Sequence, residues 1–227
     1  MTWDDFEYWK SKDWEQVQEK LDELDKAGTN YNPSRELLFA ALDSVSFDDT
    51  HVCIVGQDPY PDPKFCTGLA FSIPQELKVL PSTLVSLFEV YTKDLKYPIP
   101  TNGSLSKWAG QGVLLWNSWP VYYPVFDQSK MKVNGARLNN WPLESLTREL
   151  VSTLAQKSQG CVFAFLGRVA QEFIDEACPQ SNPVICSSHP SPRAGLRSSN
   201  PFKESRLFST INARLVELDY PAIDWKL

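Results

Sequence analysis

The 227-residue chain reads as a single α/β domain, a central and mostly parallel four-stranded sheet flanked by helices on both faces. Three observations lead there. Short continuous apolar runs, such as Val52-Cys53-Ile54-Val55 and Val113-Leu114-Leu115-Trp116, have the composition of strands buried on both sides. Helical patterns separate these runs, as crossover connections between parallel strands require. Several of the runs also close on a polar residue beside glycine or proline, the way strands end at a ligand-facing sheet edge.

Taken in order, Asp13 to Lys26 places Trp14, Val17, Leu21 and Leu24 along one helical stripe. Asn32-Pro33 is expected to cap and start a second helix running through Leu42. Strands are expected near His51, Gly112, Cys161 and Pro183. Helices are expected over Ser82 to Leu95, Pro142 to Gln156, Val169 to Ala177 and Lys203 to Leu218. The stretch from Trp119 to Trp141, rich in Tyr, Pro and Asn, reads as a long loop. No repeat or low-complexity segment interrupts the pattern. Residues 1–30 read as an acidic helical segment packed on the α/β domain of residues 31–227.

Charge is unevenly distributed. Residues 1–50 hold thirteen acids against five bases, a balance of −8, so the remainder, with 17 bases and 15 acids, is +2. From Ser187 to Arg214 the bases Arg193, Arg197, Lys203, Arg206 and Arg214 face Glu204 alone. That local +4 marks a candidate surface for a polyanion, with the acidic amino-terminal part expected to lie away from it or to regulate access. The five cysteines, Cys53, Cys66, Cys161, Cys178 and Cys186, are scattered and odd in number, and mostly sit in apolar runs where a reduced thiol behaves as a small hydrophobe. No metal-ligand spacing and no cofactor motif is present. With no bilayer-length apolar stretch and no secretory leader, a soluble intracellular protein is expected, by default a monomer.

Three strand ends carry the chemistry. The first run delivers Asp58 onto a turn stiffened by Pro59 and Pro61, where the carboxylate is expected to be presented rather than buried. The run Val184-Ile185-Cys186-Ser187-Ser188 ends at His189, followed by Pro190 and Pro192. The only other histidine, His51, starts a strand and has an expected packing or solvated role. The third run ends at Asn117, an amide that both donates and accepts. Each could be an ordinary turn residue; a carboxylate, an imidazole and an amide at three separate strand ends favour one converging polar constellation.

These motifs carry a family resemblance. Gly56 to Tyr60, Gly68-Leu69-Ala70-Phe71-Ser72, Gly112 to Asn117 and His189 to Pro192 resemble the successive signatures of the family-1 uracil-DNA glycosylases, from about Tyr31 to the closing Ile223-Asp224-Trp225-Lys226. The resemblance implies a repair enzyme that flips deoxyuridine out of single- or double-stranded DNA and hydrolyses its N-glycosidic bond, with Asp58 and His189 as the catalytic pair. It implies Asn117 at the uracil O4 and N3 edge, the Gln57 backbone at O2, Phe71 beneath the base and Tyr60 against C5. Pro59, Ser82, Arg168, Ser191, Arg193 and Arg197 would meet DNA, and a proteinaceous inhibitor is a possible partner. Bacterial cytoplasm, a eukaryotic nucleus or a viral replication site would each suit such an enzyme.

The chain departs from the family pattern at four places. Pro61 stands where a histidine is usual, Arg193 where a leucine inserts into the base stack, Trp116 where an aliphatic residue precedes the asparagine, and Arg168 where a serine contacts phosphate. Rival readings are a glycosylase-fold DNA-binding scaffold or replication processivity subunit, and a hydrolase acting on free nucleosides.

Overall fold

The computed structural model describes residues 2–127, 132–136, 143–174, 182–195 and 198–227. Four strands, β1 (Val52–Gly56), β2 (Val113–Asn117), β5 (Val162–Leu166) and β6 (Val184–Ser187), form one sheet in the order β2-β1-β5-β6, with every neighbouring pair parallel. Successive side chains point to opposite faces, and both faces are buried. Cys53, Val55, Leu114, Trp116, Phe163 and Phe165 pack into one apolar cluster, while Val52, Ile54, Val113, Leu115, Val162 and Ala164 pack into another. This is the covered parallel sheet that the continuous apolar runs predict.

The first cluster is covered by α1 (Lys12–Lys26), α2 (Ala40–Asp43) and α5 (Leu143–Ala155), together with the aromatic residues Trp3 and Tyr8 of two short amino-terminal 3-10 turns and Phe6 between them. Ser11 caps α1 by accepting from the Trp14 amide at 3.0 Å, and Val17, Leu21 and Leu24 form its buried stripe. The second cluster is covered by α3 (Ser82–Leu95), α4 (Ser106–Ala109) and α7 (Leu207–Glu217). The short α6 (Arg168–Gln171) follows β5 directly. His51 packs at the opposite end of the sheet from the motif residues, stacked on Tyr220 at 4.1 Å between ring centroids.

Four expectations are corrected. No helix starts at Asn32-Pro33: the Asn32 backbone is engaged in an antiparallel bridge with Tyr122, and the following residues form only a 3-10 turn, Arg35–Leu37, and then α2. The stretch read as a loop from Trp119 to Trp141 contains a hairpin, β3 (Tyr123–Asp127) paired antiparallel with β4 (Lys132–Ala136). The helix expected over Lys203 to Leu218 is divided into a 3-10 turn, Phe202–Glu204, and α7. Its break has a long-range cause: the buried Asp94 carboxylate of α3 accepts from the Ser209 amide at 2.8 Å and its hydroxyl at 2.6 Å, capping the first turn of α7 from outside. The helix expected over Val169 to Ala177 is interrupted: α6 ends at Gln171, a turn follows at Glu172 and Phe173, and Ile174 is again helical, while residues 175–177 lie outside the described residues, as does Cys178.

The four described cysteines are not disulfide-bonded, and three of them are buried. Among the described residues no helix is long and apolar enough to cross a membrane.

Candidate active site

The carboxyl ends of β1 and β2 lie side by side, with Gly56 opposite Asn117 in the ladder, so the Asp58 turn and the Asn117 amide emerge together. Close approach depends on Gly56 having no side chain: a methyl group there would sit 2.9 Å from Phe71 Cζ and 3.0 Å from Asn117 Oδ1. Gly56→Ala is therefore expected to push both residues from the site and to destabilise the fold by about 1–3 kcal/mol, the usual cost of overpacking, measurable by urea denaturation.

His189 reaches the same place by a longer route. Its strand, β6, is separated from β1 by β5, so the loop after Ser187 must fold across the end of β5. It does so over Gly167, which has φ +106° and on which a Cβ would lie 2.9 Å from His189 Cβ. Ser188 anchors the loop: its amide donates to Asn200 O at 2.9 Å and its hydroxyl accepts from the Phe202 amide at 2.9 Å.

A hollow of about 120 Å³ results, lined by Asp58, Pro59, Tyr60, Phe71, Asn117 and His189, with Cys66 and Thr83 at its wall. Asp58 is exposed at the turn, as its sequence setting predicts. Phe71 is buried, and its ring lies 6.1 Å from that of His189 at 45°. The Phe71 backbone has φ +66°, a left-handed conformation that costs a residue with a Cβ about 1–2 kcal/mol. Surrounding bonds hold it there: the Tyr60 hydroxyl donates to Phe71 O at 2.9 Å, the Ala70 amide to Leu115 O at 2.9 Å, and the Leu105 amide to Ser72 Oγ at 3.0 Å. A bulky residue kept in such a conformation beside a cavity is the mark of a shaped site. Burial pushes the Tyr60 phenol up to about 12, so it remains a neutral wall and a hydrogen-bond donor.

The imidazole of His189 is fixed in one protonation state. The Ser191 amide donates to its Nδ1 at 3.1 Å, which makes Nδ1 an acceptor and places the ring proton on Nε2. Burial pulls its pKa down to about 4, so the ring is neutral at physiological pH. Neutral Nε2–H is a donor without charge, suited to an oxygen on which negative charge develops.

A buried polar chain braces the carboxyl ends of β1 and β2. Trp116 Nε1 donates to Thr147 Oγ1 at 3.0 Å, Thr147 Oγ1 to Ser118 O at 2.9 Å, and Ser118 Oγ to Gly56 O at 2.7 Å. The indole at position 116 is thus satisfied by α5, which accounts for a tryptophan in an otherwise aliphatic strand. The Trp119 amide donates to Gln57 O at 2.9 Å and ties down the residue preceding Asp58.

The remaining described sequence candidates do not line the hollow itself. Gln57 and Arg168 line an adjoining polar cleft of about 600 Å³ that shares His189 with it. Arg168 is 83 % exposed and pairs with Glu172 at 3.0 Å. Ser82 is the exposed first residue of α3, and Arg193 is exposed on the loop after Ser191. Arg197 lies outside the described residues. Among the described residues no three His, Cys, Asp or Glu side chains gather as a metal-binding group. Sequence reasoning overlooked Asn32, Gly167, Cys66 and Thr83. A usable signal existed for Asn32, because a residue preceding proline is biased away from helix.

Fold and site together describe an α/β domain with a polar, aromatic-floored hollow at the carboxyl edge of its parallel sheet. The family model for the uracil DNA glycosylase superfamily matches residues 43–216. A uracil-DNA glycosylase of Amoebophilus asiaticus is 38% identical over 201 residues, covering 88% of this chain and 85% of that protein. One from Mycobacterium bovis is 36% identical over 201 residues, covering 88% and 83%. The crystal structure of mimivirus uracil-DNA glycosylase superposes with a TM-score of 0.85 at 25% identity, covering 99% of this chain and 86% of that one. A mimivirus variant in complex with UGI gives 0.83 at 26% identity, covering 99% and 87%. The chain belongs to the uracil DNA glycosylase superfamily.

Proposed function

We propose that this protein hydrolyses the N-glycosidic bond of deoxyuridine in DNA, releasing uracil and leaving an abasic site. The observation that carries the reading is the convergence of an exposed carboxylate, a strained aromatic floor, an amide and a neutral imidazole on one hollow of about 120 Å³. That volume suits a single flipped base. Its wall at Tyr60 supports exclusion of a 5-methyl group by contact, because one methyl in a merely apolar pocket changes binding by only about 1–3 kcal/mol.

In this mechanism the nucleotide leaves the duplex and its base stacks on Phe71, with the Asn117 amide pairing with O4 and N3. The C1′–N1 bond breaks, and its electrons leave with the base. His189 Nε2–H donates to O2, where much of that charge resides, assisted by the Gln57 backbone. Asp58 stabilises the cationic sugar and orients the water whose oxygen bonds to C1′; the water's proton is released and the departing uracil anion takes up a proton. Ser82, Ser191, Arg168, Arg193 and Arg197 hold phosphates on either side, and Pro59 supports the turn beneath the sugar. Arg193 also props the gap left by the base with its planar cation. The mimivirus complex with UGI supports a proteinaceous inhibitor as a further partner. We place the enzyme, as a monomer, in an intracellular compartment holding DNA.

Release of labelled uracil from a single-stranded oligonucleotide tests the reading directly. Activity that weakens steeply as salt rises is expected, because phosphate contacts release counterions. Binding without release would favour a scaffold, and cleavage of free deoxyuridine with indifference to salt would favour a nucleoside hydrolase. Arg193→Ala is expected to slow cleavage of duplex substrate about tenfold and of single-stranded substrate much less; equal rates on both would exclude the propping role.

A further inference from the structure

The Asp58 turn has an unusual restraint problem. Pro59 and Pro61 remove two amide donors from it, so the turn must be held largely through its carbonyl oxygens. Asn32, distant in sequence and 6% exposed, meets that need. Its Nδ2 donates to Tyr60 O at 3.1 Å and to Pro61 O at 2.7 Å. The amide can face these groups only in this sense, since Oδ1 toward two carbonyls would set three acceptors together. Cys66 Sγ adds a weaker donation to Tyr60 O at 3.2 Å.

The same residue is held through its backbone by a second segment. The Asn32 amide donates to Tyr122 O at 2.8 Å, and the Tyr122 amide donates back to Asn32 O at 2.7 Å. Tyr122 is 9% exposed, and its phenol is held above its ordinary value by burial first and by the negative charge of Asp58 second. Asn32 thus fastens the carboxyl end of the Asp58 turn to the segment at Tyr122.

We propose that Asn32 is a positioning residue for glycosidic cleavage: its carboxamide clamps Tyr60 and Pro61 while its backbone clamps Tyr122, so that the Asp58 carboxylate is presented in one orientation. The inference rests on the glycosylase reading above. It adds a residue that touches no substrate and acts through the turn. Asn32→Asp keeps size and shape but replaces the donor with an acceptor, and Asn32→Ala removes the group altogether.

The test measures full-length wild type, Asn32→Asp and Asn32→Ala. Single-turnover uracil release is followed on a single-stranded oligonucleotide containing one deoxyuridine. Affinity is measured with the same oligonucleotide carrying a non-cleavable 2′-fluoro-deoxyuridine, and folding by thermal denaturation. Both variants are expected to release uracil about 10- to 100-fold more slowly, because small misplacement of a catalytic group has effects of that size, with affinity changed less than about threefold and folding intact. Wild-type rates in either variant, losses of rate matched by equal losses of affinity, or unfolding of both variants would each overturn the positioning role. Wild-type protein that releases no uracil would instead remove the glycosylase reading itself.

Discussion

Asp58→Asn is expected to slow single-turnover uracil release by about 10²–10⁴-fold while leaving DNA affinity, measured by fluorescence anisotropy, nearly unchanged. The substitution keeps the side chain's shape, removes its charge and replaces one acceptor oxygen with an amide donor. A carboxylate about 4 Å from a sugar cation, at the effective dielectric of about 20 found near protein surfaces, contributes roughly 4 kcal/mol. That is about a thousandfold in rate. Asp58 is exposed in the free protein, so this interaction strengthens as the bound nucleotide displaces water. A variant within tenfold of wild type would remove the carboxylate from the mechanism.

His189→Ala is expected to cost about 10²–10³-fold in the same assay, the usual consequence of deleting one donor to a developing oxyanion. It also has a signature in stability. The folded-state pKa of about 4 lies below the ordinary value near 6.5, so between these values the unfolded chain binds the proton that the folded chain excludes. Stability associated with His189 is therefore fully present above about pH 6.5 and declines as pH falls toward 4, at up to about 1.4 kcal/mol per unit. Urea denaturation at a series of pH values should show a steeper acid decline for wild type than for His189→Ala. Parallel curves would mean that the imidazole is not held neutral by the fold.

The strands that end in Asp58, Asn117 and His189 were legible because a parallel strand buried on both faces is a continuous apolar run, and a polar residue that stops such a run must sit at its edge. The start of α3 was legible from Pro81-Ser82, where local backbone chemistry decides the boundary. The hairpin was not. Pro124 lies inside β3, and Asn134-Gly135, a dipeptide typical of turns, lies inside β4, so both local signals pointed away from strand. Asn32 was misread for a different reason. Its side chain has the chemistry of a helix cap, but the donors and acceptors that claim it, at Tyr60, Pro61 and Tyr122, are brought near only by the tertiary fold. The same holds for α7, whose first turn is set by Asp94 on another helix. Among the motif residues, Phe71 showed its aromatic character in sequence but not its left-handed backbone, which the Tyr60 hydroxyl and neighbouring strands enforce.

The passage of His189 over Gly167 gives the sheet a second use, as a ruler. Acid and imidazole issue from strands two places apart, and neighbouring strands are spaced about 4.8 Å, so their origins stand roughly 10 Å from one another. In the proposed mechanism a flipped nucleotide would lie crosswise to the strands, with its sugar toward the Asp58 turn after β1 and its ring oxygen toward His189. On that reading the distance between acid and imidazole is set by the hydrogen-bonded spacing of the strands.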